Sequence, residues 1–517
     1  MMGKYSLLLA AVTLTLLLAN SAGKTVVFFP PPLTSYFIYH TNIAGALARM
    51  GHDVYLCVPH YLISKNLVKD KDVKILEYGE QLGDITGKAM KNTNMMEKFW
   101  AGDSLHPAST MFMASAEFGR VTVEILSDKV LVEKIRRLKP DLLVVDSIPF
   151  NMNMIVLPYL LDVPYALVGT LHDVVLSKVP YSPATPTMLV KSHKDRMSFF
   201  NRVQHFFWYV AQINFDLYYD SSCVSKFAPH KPYRSINELA ANAEVFIIEL
   251  DHILDYPRPT LPNTKLIGGS SPSLAKPLTG ELLKFVNESK NGIIVMTFGG
   301  TVVNLPPHFT SKMASAFKQL DLRVVWRVNM TSPDPKQILT STWIPQNDLL
   351  GHEKTKLFVS HCGKNGQYEA LYHGVPILCM PIFGDQYYNA ERVADKELGL
   401  YADMRTASTE QLAAMLKEII YQKKYTENMK RASSLYRELY KDPKQEAAYW
   451  LDHVMKYGGD YMRSAGQQMP WYQLYVLDVI AFLLTVLLAA LFIIYFIIKQ
   501  SLKCCGFQQK KVKAKNE

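Results

Sequence analysis

The residues best suited to chemistry lie in one stretch of the chain, between Trp343 and Gln386. A short apolar run of strand type, 357–360, is followed by a turn with two glycines, through which backbone amides can approach a ligand closely. A helix predicted to begin near Asn365 would present free N–H groups and a partial positive charge at its start. The strand, turn and helix therefore favour a phosphate, although an ordinary crossover without a ligand has the same order of elements.

This stretch resembles the signature of the UDP-glycosyltransferase family, in particular its membrane-bound UDP-glucuronosyltransferase type. The matching segments run from Trp343-Ile-Pro-Gln346 through Ser360-His-Cys-Gly363 to Gly384-Asp385-Gln386. The resemblance extends over almost the whole chain and is stronger in the C-terminal half. It implies two Rossmann-like α/β domains that face each other across a cleft, with the UDP-sugar bound by the C-terminal domain and the acceptor by the N-terminal domain.

The resemblance also implies roles for individual residues of a UDP-sugar site. It places Trp343 against the uracil, Gln346 at the nucleoside and Glu369 at the ribose hydroxyls. It places His361 and the amides of Gly363, Asn365 and Gly366 around the diphosphate, and Asp385 and Gln386 at the sugar hydroxyls. A loop near the phosphates departs from the family, because Gly300 stands at the position of a serine and the hydroxyl moves to Thr301.

The acceptor side departs further, at the position of the catalytic base. The family has a histidine in a Ser-His pair, whereas this chain has Ser35 and Tyr36, and a tyrosine with a pKa of about 10 is a poor base at neutral pH. His40, one helical turn further on, is either a substitute base or a polar residue at the edge of the cleft. Asp146 matches the aspartate that pairs with the missing histidine, and it is either the base itself or the cap of a strand end.

These departures leave the substrates open. Some members of the family that this chain resembles lack this histidine and act on amines. An amine nitrogen attacks before it loses a proton, so it needs less help from a base. Glu249 stands where glucuronosyl-transferring relatives have an arginine, and its carboxylate would repel glucuronate, which favours a neutral sugar such as glucose. The rival interpretations are a UDP-sugar-binding pseudoenzyme that partners active relatives, and a transferase that builds glycolipids.

The expected activity is transfer of glucose or glucuronate from a UDP-sugar to a small lipophilic acceptor, with the inversion at the anomeric carbon that the resemblance implies. The UDP-sugar is a co-substrate, and we expect no resident cofactor. No metal ion is expected either, because a helix N-terminus can offset the charge of the diphosphate and no Asp-x-Asp pair is placed to hold a metal.

Two series of apolar strands predict an α/β fold with two parallel sheets, a Rossmann-like domain for each. The first series is 25–29, 53–58, 142–145 and 165–168, and the second is 293–297, 323–326, 357–360 and 377–380. The predicted domains are a signal peptide at 1–23, the acceptor domain at 24–262, a linker at 263–288 and the UDP-sugar domain at 289–457.

An uncharged apolar segment, 479–498, has the length of about 20 residues that a transmembrane helix needs. Six lysines follow it in the tail 499–517, which predicts a single-pass type I protein with a cytosolic tail and a lumenal body. Lys513 and Lys515 resemble the retrieval signal of endoplasmic-reticulum membrane proteins. The formal charge of +10 lies partly in this tail, so nucleic acid is not an expected partner.

A lumenal body would make two sequons usable for glycosylation, at Asn287 and Asn329. Only four of the six cysteines lie in the body, so no disulfide framework is expected. Homo-oligomeric and hetero-oligomeric states both remain open.

Overall fold

The computed structural model describes residues 23–92, 94–102, 107–186, 196–215, 217–300 and 302–513. The predicted signal peptide up to residue 22, Thr301 and Lys515 lie outside the described residues. The chain divides into two units, a body that ends at Arg463 and a second unit that begins at Ser464.

The first half of the body is built on a parallel sheet. Its strands are β1 (Thr25–Phe29), β2 (Asp53–Pro59), β3 (Val73–Tyr78), β4 (Leu142–Asp146), β5 (Tyr165–Gly169), β6 (Phe246–Ile248) and β7 (Thr264–Leu266). Their order in the sheet is β3-β2-β1-β4-β5-β6-β7. Because β1 and β4 are neighbours from which the chain winds in opposite directions, their carboxyl ends form a topological switch point, where ligands bind in such sheets.

Helices cover both faces of this sheet, and β4 and β5 are therefore buried at every position. The helices of this half are α1 (Thr34–Arg49), α2 (His60–Ile63), α3 (Ile85–Asn92), α4 (Met95–Trp100), α5 (Pro107–Ser127), α6 (Lys129–Leu138), α7 (Val156–Leu161), α8 (Phe199–Asn214), α9 (Ser222–Phe227) and α10 (Ile236–Ala241), with a 3-10 turn at Pro149–Ile155.

The second half contains a parallel sheet of the same order. Its strands are β8 (Ile293–Thr297), β9 (Arg323–Arg327), β10 (Ile338–Ser341), β11 (Thr355–Ser360), β12 (Ile377–Cys379) and β13 (Gly399–Tyr401), in the order β10-β9-β8-β11-β12-β13. The helices are α11 (Gly280–Asn287), α12 (Pro307–Phe317), α13 (Gln346–Leu350), α14 (Lys364–His373), α15 (Gln386–Asp395), α16 (Thr409–Tyr421), α17 (Lys423–Leu439) and α18 (Pro443–Tyr457). The switch point of this sheet lies between the ends of β8 and β11.

The two halves exchange helices. Ala447 and Leu451 of α18 belong to the same buried cluster as Val26 and Phe28 of β1. In return, Phe99 of α4 packs into the core of the second sheet. The hydrophobic core of each sheet thus includes residues of a helix from the other half of the chain.

The second unit contains α19 (Trp471–Leu474) and the long helix α20 (Leu477–Lys513). Its segment Leu477–Lys503 is long and apolar enough to cross a membrane, since 27 residues of helix at about 1.5 Å each exceed a hydrocarbon core of roughly 30 Å. This candidate membrane span includes the predicted segment 479–498.

All eight predicted strands are present, and the α/β fold with two Rossmann-like sheets is confirmed. The strands that the sequence did not predict are β3, β6, β7, β10 and β13. Three of them are only three residues long, and β3 is fully buried only at its two ends. Such short or edge strands form because a neighbouring strand is already in place, so their own sequence carries little signal.

Candidate active site

His361 lies at the switch point of the second sheet, directly after β11. Gly299 and Gly363 enclose its imidazole so closely that a Cβ atom at either position would lie 2.8 Å or 2.5 Å from His361 Nε2. Burial lowers the pKa of His361 to about 4, so the ring is neutral at neutral pH. It can donate one N–H to a phosphate oxygen, but it does not contribute a positive charge. A Cβ at Gly300 would meet open space.

The predicted phosphate turn leads into α14, as expected. Gly363 is the residue before the first turn of this helix and makes no side-chain cap, so the first amides of α14, including those of Asn365 and Gly366, are left for a ligand. A helix of 10 residues adds a partial positive charge at this point. The turn therefore has the donors and the field that a diphosphate requires.

Three predicted nucleoside residues lie near the same edge. The side chain of Trp343 is 68% exposed, so it is no core residue and its ring is free to stack on a base. Gln346 Nε2 donates to Glu369 Oε2 at 2.5 Å, which places these two side chains together. Burial raises the pKa of Glu369 to about 7, although the hydrogen bond from Gln346 opposes the shift.

Asp385 and Gln386 follow β12 in the loop that leads into α15. Asp385 makes no cap to the helix, and its Oδ2 accepts from Asn389 Nδ2 at 2.8 Å. Gln386 is 5% exposed, and its Oε1 accepts from the backbone N–H groups of Ile382 and Phe383. Asp385 is therefore available to a ligand, whereas the carbonyl of Gln386 is already used to shape the loop.

Asp146 ends β4 at the switch point of the first sheet and is fully buried. Its Oδ2 accepts from His40 Nε2 at 2.9 Å and from the hydroxyl of Tyr39, and its Oδ1 accepts from Ile148 N at 2.8 Å. His40 is also fully buried, and its Nε2 is engaged with Asp146. Asp146 and His40 thus form a buried Asp-His pair, one helical turn beyond Tyr36, and Tyr39 binds the same carboxylate oxygen.

Tyr36 occupies the position next to this pair, with its ring centroid 5.8 Å from that of Tyr39 and 6.2 Å from that of Phe150. Burial, and then the carboxylates of Asp146 and Asp385, raise the pKa of Tyr36 well above its ordinary value. Tyr36 is therefore a neutral phenol between the two sheets and not a base.

The two switch points meet through direct hydrogen bonds. Asn365 Nδ2 donates to the carbonyl of Ser35 at 3.3 Å, which joins the phosphate turn to the start of α1. Ser271 Oγ donates to the carbonyl of Asn365 at 3.2 Å, and Asn42 Nδ2 donates to the carbonyl of Ser270 at 3.0 Å. The phosphate turn and the start of α1 therefore lie against each other.

The sequence did not predict a buried ion cluster beside this site. The carboxylate of Asp255 lies 2.8 Å from Arg258 Nη2 and 2.7 Å from Arg392 Nη1, and it also accepts from the hydroxyl of Tyr388 at 2.9 Å. Its members come from the loop after β6 and from α15, so no local spacing connects them.

A disulfide joins Cys362, in the phosphate turn, to Cys379, the last residue of β12. Cys57 and Cys223 remain free and buried. The expectation of no disulfide framework therefore needs a correction to one bridge. The signal was available, because β11 and β12 are adjacent parallel strands, with Cys362 just after the end of one and Cys379 at the end of the other.

Replacing both Cys362 and Cys379 by alanine is expected to destabilise the protein by about 3 kcal/mol, because the bridge closes a loop of 17 residues. The KM for the donor should rise as well, since the turn loses its anchor to β12. Unfolding of the detergent-solubilised chain, with and without reductant, measures the first effect. Reductant should destabilise the wild type and leave the double variant unchanged; equal effects on both would contradict this prediction.

The structure also shows the exposure of Glu249 and of the two predicted glycosylation sites. Glu249 has no exposed surface, and its Oε1 accepts from Ser270 N at 3.0 Å. It therefore does not contact a sugar in this arrangement, and its charge is not evidence for a neutral donor. Asn287 and Asn329 are both exposed, as glycosylation requires.

Comparisons with known proteins agree with this fold. The chain matches the family model of "UDP-glucoronosyl and UDP-glucosyl transferase" over residues 25–515. Human UDP-glucuronosyltransferase 1A5 is 32% identical over 402 residues, 76% of this chain and 73% of that protein. Human UDP-glucuronosyltransferase 2B17 is 30% identical over 519 residues, 96% of this chain and 94% of that protein.

Solved structures of other proteins show the same architecture. The calicheamicin glycosyltransferase CalG4 aligns with a TM-score of 0.58 at 15% identity, over 84% of this chain and 99% of that one. A UDP-glucosyltransferase from Polygonum tinctorium aligns with a TM-score of 0.57 at 16% identity, again over 84% and 99%. The fold is thus that of the two-Rossmann glycosyltransferases.

The chain belongs to the UDP-glucuronosyl and UDP-glucosyl transferase family, as the family model and the human relatives establish. It is a glycosyltransferase that uses a UDP-sugar.

Proposed function

We propose that this enzyme transfers glucose or glucuronate from a UDP-sugar to a small lipophilic acceptor, with inversion at the anomeric carbon. The observation that supports this most is the meeting of the two switch points, through the hydrogen bond from Asn365 to Ser35. A diphosphate at the start of α14 directs the attached sugar towards Asp385 and the edge of the first sheet. The acceptor then attacks from the side of Asp146.

The leaving diphosphate would be stabilised by the chain itself. The first amides of α14 and the neutral imidazole of His361 donate hydrogen bonds to it, and they are in place before negative charge develops. We propose on this ground that transfer needs neither a metal ion nor a resident cofactor.

The group proposed to take the proton of the acceptor is the buried carboxylate of Asp146. Asp146 is covered by Tyr39, whose hydroxyl donates to Asp146 Oδ2. We infer that a hydroxyl acceptor passes its proton to Asp146 by way of Tyr39, while His40 holds the carboxylate in position. An amine acceptor attacks before it is deprotonated, so it depends less on this relay.

The membrane placement is also part of this proposal. We propose a single-pass type I protein of the endoplasmic reticulum, with the body in the lumen and the basic tail in the cytosol. The apolar segment Leu477–Lys503 and the lysines after it support this orientation. A disulfide and two exposed sequons in the body suit a lumenal compartment.

Donor and acceptor are tested together on the purified full chain in detergent. UDP-glucose and UDP-glucuronate are offered in parallel, each with a panel of phenols, amines and lipid acceptors. Turnover with one donor and a small phenol or amine supports the proposal. Turnover with lipid acceptors alone would favour a glycolipid-forming enzyme, and donor binding without any turnover would favour a pseudoenzyme.

The variant Glu369→Gln should raise the KM for the UDP-sugar by about 10- to 100-fold, because hydrogen bonds to a charged group contribute about 1.5–3 kcal/mol. The ribose is far from the reacting atoms, so kcat should change much less. Initial rates at varied donor concentration measure both constants. Glu353→Gln, an exposed residue before β11, is the matched control. A lower kcat with an unchanged KM would show that Glu369 does not bind the ribose.

A further inference from the structure

A cleft lies beside the site, between residues of both halves. Its volume is about 970 Å³, the open solvent at its mouth included. Much of its wall is apolar or aromatic: Leu171, Val174, Val179, Pro180, Tyr181 and Tyr209. Such a wall suits the hydrophobic body of a small ligand.

One side of this cleft is cationic. Arg258, Lys364 and Arg392 line it, against the two carboxylates of Asp173 and Asp255. Burial lowers the pKa of the lining histidines His172 and His205 to about 3 and about 4, so they are neutral. The charged side chains of the lining therefore sum to a positive value.

Most of these charged groups already have ion-pair or hydrogen-bond partners within the protein. Asp255 holds both arginines, with Arg258 Nη2 at 2.8 Å and Arg392 Nη1 at 2.7 Å. Asp173 Oδ1 accepts from the N–H groups of Val175 and Leu176 and so closes its own turn. These groups have their partners without a ligand.

Lys364 is different. It is 7% exposed, and no residue in the part of the chain that the structure describes forms a hydrogen bond or ion pair with its ammonium. Burial and the charge of Arg392 outweigh the carboxylates of Asp255, Asp251 and Asp385 and lower the pKa of Lys364 to about 8, which leaves it protonated at neutral pH. The ammonium thus has carboxylates in its surroundings but no direct partner, and a carboxylate in the cleft would give it one.

The direction of the side chain excludes the diphosphate as that anion. Lys364 is the first residue of α14, but its Nζ lies 5.5 Å from the ring centroid of Tyr368, one turn further along the helix. The ammonium thus points away from the free amides at the helix start and towards the cleft.

We propose that Lys364 binds a carboxylate of the ligand in this cleft, supplied either by the uronic acid of the donor or by an acidic acceptor. The inference rests on the proposed function and adds a specificity-determining residue to it. Both sources present the same chemistry, an apolar or sugar body with one carboxylate. Among the described residues that line the cleft, Lys364 is a cation without an ion pair of its own.

Two matched ligand pairs identify the source. The first pair is UDP-glucuronate and UDP-glucose with one neutral phenol. The second is a hydroxyaryl carboxylate and its methyl ester with UDP-glucose. In the wild type, kcat/KM should favour the acidic member in one pair. Lys364→Met should lower that preference by about 10- to 100-fold, whereas Lys364→Arg should retain part of it. Lys356→Met, an exposed lysine on β11, is the control.

Each outcome has a defined meaning. Loss of the preference in the first pair assigns the carboxylate to the donor, and loss in the second assigns it to the acceptor. Equal loss for both members of each pair, weaker binding of UDP itself, or no preference in the wild type overturns the proposal. If no ligand pair is turned over, the proposed function fails; calorimetric binding of the same four ligands to the wild type and to Lys364→Met then tests Lys364 separately.

Discussion

The variant Asp146→Asn is expected to lower kcat for hydroxyl acceptors by about 10²- to 10⁴-fold, the range that general base catalysis contributes. The asparagine keeps the size of the side chain and can still accept from Ile148 N, but it cannot take up a proton. Its amide would also meet the hydroxyl of Tyr39 and the ring of His40, which donate to the native carboxylate. Initial rates at saturating donor and acceptor measure the loss.

The same strand supplies a control. Asp141 precedes β4 at its other end, where it accepts from Thr25 N at 2.9 Å and from Lys24 Nζ at 3.2 Å. Asp141→Asn should leave kcat near the wild-type value. UDP binding should be unaffected in both variants, because the predicted donor residues belong to the second sheet. A kcat for Asp146→Asn close to that of Asp141→Asn would exclude Asp146 from the proton transfer.

Variants of the two neighbours of Asp146 distinguish proton transfer from positioning of the carboxylate. Tyr39→Phe removes the hydroxyl that covers the carboxylate and should lower kcat for phenols much more than for amines. His40→Gln removes the other partner of Oδ2 and should act mainly on stability, because His40 is proposed to hold the carboxylate in position and not to carry the proton. Comparable losses for phenols and amines in Tyr39→Phe would argue against a proton path through this hydroxyl.

The variant Asp255→Asn is expected to destabilise the fold by about 3–5 kcal/mol, the typical effect of removing one partner from a buried ion pair. Asp255 is 1% exposed and is the carboxylate that both Arg258 and Arg392 share. Without it, two buried guanidinium groups lose their counter-charge. Denaturant unfolding of the solubilised chain measures the difference in unfolding free energy.

A partly exposed pair in the same half is the matched control. Asp403 lies 2.7 Å from Arg405, with the side chains 28% and 20% exposed. Asp403→Asn should destabilise the protein by less than about 1 kcal/mol, since solvent screens such pairs. Similar losses of unfolding free energy for the two substitutions would show that burial does not strengthen the contribution of the Asp255 cluster to stability.

The pH dependence of the Asp255 effect has a definite sign. Burial raises the pKa of Asp255, but Arg392 and then Arg258 outweigh it and hold the pKa well below its ordinary value. A depressed pKa in the folded state gives stability that is present above the unfolded pKa of about 4 and is lost as the pH falls below it. The difference between wild type and Asp255→Asn should therefore be largest near neutral pH and shrink in acid.

The sequence predicted the strand, turn and helix of the phosphate site because all its parts are consecutive. β11, the turn at Gly363 and α14 follow one another within 19 residues, from Thr355 to His373, and each has a local signal in apolar residues, glycine or helix pattern. The apolar segment before the tail was equally local. The short edge strands have no such local signal, because they form only when a neighbouring strand is already in place.

Only the tertiary structure decided what surrounds the acceptor. Asp146 meets His40 and Tyr39 across 106 and 107 residues of chain, and this contact buries the histidine that the sequence offered as a substitute base. Packing also buries Glu249 completely, and it leaves Lys364 almost buried in the lining of the cleft, near three carboxylates but without a direct hydrogen bond or ion pair among the described residues. The physical reason is common to all three: a residue's type and spacing fix which chemistry it can perform, but its exposure and its partners are set by packing between segments that are distant in sequence.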